Sequence, residues 1–143
     1  MNKKVIGALG LMLVLSGCAH HGACDASAAE ELHRYNKVYF TSEQAELNYD
    51  SMKVLNEQIQ WLKDNPNKKI IVQGYTDPTG TPAYNMQLGK KRAESVKNYF
   101  VKNGIAANRI SVVSFGEQDL ASAKNTPQSW PMDRRAITVI ATD

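Results

Sequence analysis

The sequence has few of the residues that build a covalent or metal-bound framework. Its 143 residues include 2 cysteines, Cys18 and Cys24, and 3 histidines. From Asn36 onward the chain contains neither residue type, so no serine–histidine pair and no histidine- or cysteine-based metal motif can be assembled there. We therefore expect a domain that is stabilised by a hydrophobic core, without a catalytic site, a cofactor or a bound metal.

Strong charge and a long apolar run are also lacking. The formal net charge is +3, and it falls to +1 if Lys3 and Lys4 are removed with residues 1–17. A nearly neutral chain gives no electrostatic case for binding nucleic acid. The first apolar run, residues 5–15, is shorter than the roughly 20 residues that a membrane helix needs, and no later run is long enough.

The first 18 residues have the pattern of an export signal. A short basic start precedes the apolar run, which ends in Leu15-Ser16-Gly17-Cys18. This ending resembles the lipobox of bacterial lipoproteins, which implies cleavage after residue 17 and lipid on the sulfur and the new amino group of Cys18. Ala19, where an aspartate would retain the protein in the inner membrane, implies an outer-membrane anchor. The alternative is an ordinary export signal that contains a cysteine.

Residues 18–35 are predicted to link this anchor to the domain. Residues 19–29 are small and polar, which favours a flexible tether, and residues 30–35 could add one helical turn. His20, His21 and Cys24 could be read as metal ligands, but a site needs three or four ligands in fixed geometry, so a solvated tail is favoured. Cys24 is either a tolerated tail residue or a thiol that pairs with another chain.

Residues 36–143 are predicted to form one compact domain. Apolar spacings of three and four predict helices over residues 48–65 and 82–103. Strands are predicted by β-branched runs at residues 37–40, 69–75, 110–115 and 135–140, and a polar loop with one helical turn by residues 117–131. The order βαβαββ indicates an α/β fold (an α+β sandwich), in which a small mixed sheet carries its helices on one face.

Three stretches of the domain carry a long combined motif. They are Gly74-Tyr75-Thr76-Asp77-Pro78-Thr79-Gly80, then Tyr84-Asn85-Met86-Gln87-Leu88-Gly89-Lys90-Lys91-Arg92-Ala93-Glu94-Ser95-Val96, and finally Asp133-Arg134-Arg135-Ala136. Together they resemble the OmpA-like peptidoglycan-binding domain, and within it the branch of the peptidoglycan-associated lipoproteins. The resemblance covers about residues 36–140.

Asp77 and Arg92 are the pair on which the predicted chemistry depends. Asp77 follows a buried strand at a turn, and Arg92 has the spacing of the inner helix face, where arginine is rarely found without a partner. Such a pair suits a zwitterion, or it is simply a structural salt bridge. The resemblance implies the former, with Asp77 on the ammonium and Arg92 on the carboxylate of diaminopimelate in the stem peptide of peptidoglycan.

The resemblance adds further residues around this pair. Asn85 and Leu88 match the family at the start of the second helix, where Asn85 is expected to bond to the Asp77 turn or to make a local helix-end bond. Arg134 and Arg135 are expected either to touch the wall or to act as edge-strand charges that block pairing between sheets.

Some positions depart from the family pattern. Ser42 replaces an aromatic residue, Glu43 replaces the ligand-binding aspartate and Thr79 replaces an arginine, which affects affinity and the choice of wall peptide. Asp133 replaces the usual asparagine. The short tether also fits a specialised relative that serves a secretion or surface apparatus.

Two other functions compete with wall binding. Asp77 and Glu43 could form a carboxylate pair as in glycosidases, but a neighbouring arginine lowers the pKa of a carboxyl group and opposes general-acid catalysis. We therefore expect no enzymatic activity. The second alternative is a protein-interaction module, since this branch of the family also binds the periplasmic propeller of the Tol system; another envelope complex is an equal candidate partner.

Overall fold

The computed structural model describes residues 23–142, with side chains from residue 29. The predicted signal peptide, Cys18, His20 and His21 lie outside the described residues. The helices are α1 Ala23–Arg34, α2 Tyr49–Asp64, α3 Pro82–Lys102 and the short α4 Trp130–Asp133; the strands are β1 Lys37–Tyr39, β2 Ile70–Tyr75, β3 Ile110–Gly116 and β4 Arg135–Ile140. The predicted order of strands and long helices in the domain is confirmed.

The four strands form one mixed sheet in the order β1-β4-β2-β3. β2 and β3 are parallel and are connected by α3, whereas β4 runs antiparallel to both β1 and β2. The last strand in sequence therefore lies inside the sheet. This placement corrects the interpretation of Arg134 and Arg135 as edge-strand charges, because the edges are β1 and β3.

The hydrophobic core lies between this sheet and the long helices. Alternate strand residues point inward, among them Val38, Val72 and Ala136, and pack against apolar residues of α2 and α3. The core cluster comprises Leu32, Val38, Phe40, Leu55, Ile59, Trp61, Leu62, Ile70, Val72, Ala93, Val96, Phe100, Ile105, Ile110 and Ala136. The predicted packing of helices on one face of a mixed sheet is confirmed.

Local sequence signals set the ends of the two central helices. The side chain of Asn48 accepts a hydrogen bond from the backbone of Ser51 at the start of α2, at 2.8 Å. Thr81 does the same for Tyr84 at the start of α3, where Pro82 occupies the first helical position. Gly104 lies just after the end of α3. Its φ of 96° is the left-handed conformation that glycine adopts freely and that commonly follows a helix.

α1 differs from the flexible tether that the sequence predicted. Residues Ala23–Arg34 form a helix, because the segment is rich in alanine, the residue with the highest helix propensity, and its last turn carries His33 and Arg34. Leu32 anchors this helix in the core with 4% of its surface exposed. The expectation of a flexible chain was therefore wrong for residues 23–29, whereas the helical turn expected within residues 30–35 is present as the end of α1. The division into segments 1–17, 18–35 and 36–143 stays a prediction.

Within residues 23–142, none of the helices is both long and apolar enough to cross a membrane.

Candidate functional site

The candidate site lies where β2 ends and the first turns of α3 pass over it. Gly74 of β2 and Gly89 of α3 are in direct backbone contact, so the helix lies unusually close to the strand. Arg92 follows Gly89 by about one turn and therefore reaches the end of β2, where its Nη1 donates to the carbonyl oxygen of Tyr75 at 2.9 Å. The close helix–strand packing thus places the arginine beside the Asp77 turn.

Arg92 is completely buried and holds three backbone segments together. Besides Tyr75, it donates from Nε to the carbonyl oxygen of Gln44 at 2.8 Å and from Nη2 to that of Thr41 at 3.0 Å. Its guanidinium also lies 5.3 Å from the centre of the Phe40 ring. Arg92 therefore fastens the segment after β1 to the end of β2, a role that the sequence alone did not predict.

Burial lowers the pKa of Arg92 to about 10, the negative charge of Asp77 opposes this shift, and the positive charge of Arg134 adds to it. Arg92 remains protonated at neutral pH. The three carbonyl oxygens stabilise that buried charge, and two of its five N–H groups have no partner among the described residues.

Asp77 is also buried, with 5% of its surface exposed, but its ion pair is not with Arg92. Its Oδ2 lies 3.3 Å from Nη1 of Arg134, which immediately precedes β4. Its Oδ1 accepts from the backbone N–H of Thr79 at 3.0 Å and from the Thr79 hydroxyl. The alternative of a simple Asp77–Arg92 salt bridge is therefore wrong, although the two charges lie close enough to influence each other.

Asn85 has a different partner from the one predicted. Its side chain is 1% exposed, and its amide donates to Oε2 of Glu117, in the loop that follows β3. Its backbone N–H donates to the carbonyl oxygen of Thr81 at 2.9 Å, which is an ordinary bond at the start of a helix. The expected bond from Asn85 to the Asp77 turn is wrong; the side chain instead ties α3 to the β3 loop.

A surface cleft of about 340 Å³ lies between residues 43–46 and the first turns of α3, and one of its lining residues, Gln44, is bonded to Arg92. Of the predicted site residues, Glu43 and Leu88 line it, whereas Asp77, Thr79, Asn85 and Arg92 do not. Its other lining residues are Gln44, Ala45, Glu46, Tyr84, Gln87 and Lys91. The α3 residues among them recur at intervals of three and four, so helical periodicity could have identified them from the sequence.

Glu43 has a backbone conformation that side chains other than glycine rarely adopt, with φ 58°. It lies between Thr41 and Gln44, the two residues whose carbonyl oxygens accept from Arg92. Uncommon backbone conformations of this kind persist where surrounding contacts hold them in place. Here the hydrogen bonds from buried Arg92 to Thr41 and Gln44 hold the backbone on both sides of Glu43.

Arg135 lies on the opposite side of the sheet from this cluster. Its guanidinium is 3.9 Å from the centre of the Tyr75 ring, which stacks in turn on Phe115 at 5.2 Å. It also forms an ion pair with the exposed Asp119 at 3.8 Å. Of the two adjacent arginines, only Arg134 therefore contacts the candidate site. Across the part of the chain that the structure describes, no three His, Cys, Asp or Glu side chains come together as metal ligands.

Comparisons with known proteins agree with the fold and identify the family. The model of the OmpA family matches residues 39–134. The chain is 33% identical to a peptidoglycan-associated lipoprotein of Haemophilus influenzae, over 96% of this chain and 98% of the relative. It is 32% identical to one of Pasteurella multocida, over 94% and 95% respectively. The crystal structure of the peptidoglycan-associated lipoprotein from Burkholderia pseudomallei superposes with a TM-score of 0.71 at 32% identity, covering 74% of this chain and 90% of the other.

Proposed function

Because the chain belongs to the OmpA family, we propose that it is an outer-membrane lipoprotein that binds peptidoglycan non-covalently and links the membrane to the cell wall. The domain faces the periplasm, and Cys18 carries the lipid. Its ligand is the diaminopimelate of the stem peptide. One observation carries this proposal: a buried carboxylate and a buried guanidinium, Asp77 and Arg92, lie close enough to influence each other at the end of β2, in a chain that such lipoproteins match along nearly its whole length.

The proposed chemistry follows from the two charges. The ammonium of diaminopimelate approaches Asp77, whose Oδ2 has a long contact of 3.3 Å with Arg134 and can accept a second donor. The carboxylate on the same carbon approaches the two uncommitted N–H groups of Arg92. Since Arg92 is fully covered, the ligand reaches it when the exposed segment around Glu43 and Gln44 moves aside. Leu88 and Glu43 then line the ligand from the cleft.

A calorimetric titration tests the wall-binding site. The protein is residues 18–143 with Cys18→Ser, which removes the lipid, and the titrant is a stem peptide that contains diaminopimelate. Asp77→Asn keeps the shape of the side chain and removes its charge, so we expect binding to weaken at least about tenfold. Asp50→Asn, which removes an exposed carboxylate from α2 away from the cleft, is the matched control.

The outcome separates wall binding from the second candidate function. If the folded protein does not bind the stem peptide, the proposal fails, and a protein-interaction module becomes the better explanation. A protein partner could dock on the surface as it stands, whereas wall binding through the fully covered Arg92 requires the segment around Glu43 and Gln44 to move. Crosslinking in cells would then identify the partner, with a Tol-system protein as one candidate and another envelope complex as the alternative.

The membrane anchor has a separate test. Cys18→Ala leaves no thiol at residue 18 for lipid attachment, so the protein should move from the outer-membrane fraction to the soluble periplasmic fraction. Unchanged fractionation with the outer membrane would disprove the anchor without bearing on the wall site.

A further inference from the structure

A groove between the last turns of α1 and the second half of α2 is lined by carboxylates. It has a volume of about 130 Å³, and its lining includes Glu31 of α1 and Glu57 and Asp64 of α2. Asp64 accepts a hydrogen bond from Gln60 at 3.2 Å, but within residues 29–142 none of the three carboxylates forms an ion pair, and no base lines the groove. The groove shares no lining residue with the cleft of the candidate site.

The spacing of these carboxylates suits separated positive charges better than a single metal ion. Glu57 and Asp64 are seven residues apart on one face of α2, which is about 10 Å along the helix axis. Among the described side chains, no three His, Cys, Asp or Glu residues come together as metal ligands. A ligand that neutralises both ends of the groove therefore carries at least two positive charges on an extended chain.

The surface between the two charged ends is apolar and aromatic. Trp61 lies between Glu57 and Asp64 along α2, and Leu32 and the half-exposed Tyr35 of α1 line the groove with it. Methylene groups are stabilised by packing on such a surface, and an ammonium group is attracted to the face of an aromatic ring. The groove thus combines apolar contact in its middle with negative charge at its ends.

Gln58 is a second, independent indication of a ligand. It lines the groove with 1% of its surface exposed, and its Nε2 donates to the carbonyl oxygen of Tyr35 at 2.6 Å. This bond fixes the orientation of the amide, because the Gln58 oxygen cannot donate to a carbonyl group. The Oε1 atom is left without a donor. A buried acceptor without a donor adds a negative dipole beside the groove, and a cation there stabilises it.

We propose that this groove binds a linear aliphatic polyamine, with one ammonium group at Glu57, another at Asp64 and the methylene chain across Trp61. Glu31 lies on the α1 side of the groove, so the bound polyamine also fastens α1 to α2. Leu32 is the described residue of α1 that belongs to the core cluster, and the ligand adds a second link for this helix. The inference concerns a different surface from the candidate site and does not rest on the proposed function.

The experiment titrates spermidine, a linear triamine, into residues 18–143 with Cys18→Ser and follows the fluorescence of Trp61. The chain has 2 tryptophans, so Trp130→Phe leaves Trp61 as the only reporter. We expect a saturable change in its emission. Mg²⁺, which carries its charge on one centre, and butylamine, which carries one charge on a similar chain, should each bind at least about tenfold more weakly.

Two double variants in this background locate the binding. Glu57→Gln with Asp64→Asn should weaken spermidine binding at least about fivefold, because it removes the charge at both ends of the groove. Asp50→Asn with Glu94→Gln is the matched control, since it changes the net charge by the same amount and neither residue lines the groove. The control should bind spermidine as tightly as the parent.

Three results would overturn the inference. They are the absence of a saturable change with spermidine, an equal affinity for Mg²⁺ or butylamine, and an equal loss of affinity in the two double variants. A cooperative thermal melt establishes that each variant is folded. Because the stem peptide plays no part in these titrations, their failure leaves the proposed function intact.

Discussion

Gly74 and Gly89 meet backbone to backbone, with no room for a side-chain carbon between them. A Cβ on Gly89 would lie 3.0 Å from the carbonyl oxygen of Gly74, and a Cβ on Gly74 would overlap the carbonyl oxygen of Gly89. The distance between β2 and α3 is thus set by two missing side chains. That distance in turn lets Arg92 reach the carbonyl oxygen of Tyr75.

Gly74→Ala should destabilise the fold by about 3 kcal/mol, because the obstructing atoms are backbone and cannot rotate away. Gly104→Ala is the matched control. Its φ of 96° costs an alanine about 1 kcal/mol, but a Cβ there meets nothing within 4 Å. Urea unfolding of both variants measures the difference. Equal losses would show that the strand–helix contact tolerates an extra carbon.

Arg92→Ala should lower the free energy of unfolding by about 3 kcal/mol or more, since it leaves three backbone carbonyl oxygens without their donor. Arg92→Lys should lose less, because the ammonium can still serve one of them. Lys91→Ala, on the exposed neighbour, controls for the loss of a charge on α3. If Arg92→Ala melts at the same temperature as the parent, the fastening role of Arg92 is wrong.

Asp133→Asn should leave stability unchanged or raise it by about 1 kcal/mol. Asp133 has no exposed surface; its Oδ1 accepts from the N–H of Ala121 at 2.7 Å, but its Oδ2 has no donor among the described residues. Asparagine keeps the acceptor and removes a buried charge. A loss of more than about 1 kcal/mol in urea unfolding would indicate that the carboxylate instead serves the neighbouring Arg135.

Tyr75 should make stability fall at high pH. Burial raises the pKa of Tyr75 above its ordinary value of 10.0, Arg135 opposes the shift and Asp119 adds to it. Above pH 10.0 the unfolded chain releases this proton before the folded chain does, so the folded state loses relative stability as pH rises through the folded pKa. Below that range Tyr75 is protonated in both states and contributes no pH dependence.

The measurement is the difference in unfolding free energy between the parent and Tyr75→Phe, determined at several pH values. Between about pH 7 and pH 9 the difference in unfolding free energy should be constant. It need not be zero there, because phenylalanine cannot make the hydrogen bond from Tyr75 to Gln73. It should shrink above pH 10.0, because phenylalanine has no proton to lose. A difference that is flat up to pH 11 (about one unit beyond the ordinary pKa) would contradict the shift.

The sequence predicted the strands and long helices because their signals are local. The stripe that contains Leu55, Ile59 and Leu62 repeats at helical intervals, and runs of β-branched residues mark β2 and β4. Even the cap residues Asn48 and Thr81 act on backbone groups three positions away. The first part of α1 was missed because the small polar residues 23–29 suggested a tether, and the docking of the helix depends on Leu32 reaching a core that the rest of the chain builds.

The sequence predicted that Asp77 and Arg92 lie near each other, but it did not predict the contacts that each of them makes. Asp77 and Arg92 do lie together, yet the ion pair of Asp77 is with Arg134, 57 positions away in sequence. That contact exists because β4 inserts between β1 and β2, which no local pattern specifies. The bond from Asn85 to Glu117 likewise depends on where the loop after β3 lies. Long-range partners follow from topology, and topology follows from the whole set of strands.

The position of β4 also governs when the molecule can fold. β1 pairs with β4 and with no other described strand, and the residues that pair, such as Val38 and Ala136, are far apart in sequence. Until β4 has been synthesised, β1 has no neighbour and β2 has only one of its two. The completed sheet must therefore assemble after synthesis of its final segment, by a search over long chain separations that makes folding slow relative to helix formation. A nascent chain therefore carries an incomplete sheet through most of its synthesis, and the sheet closes only when its last strand joins the other three.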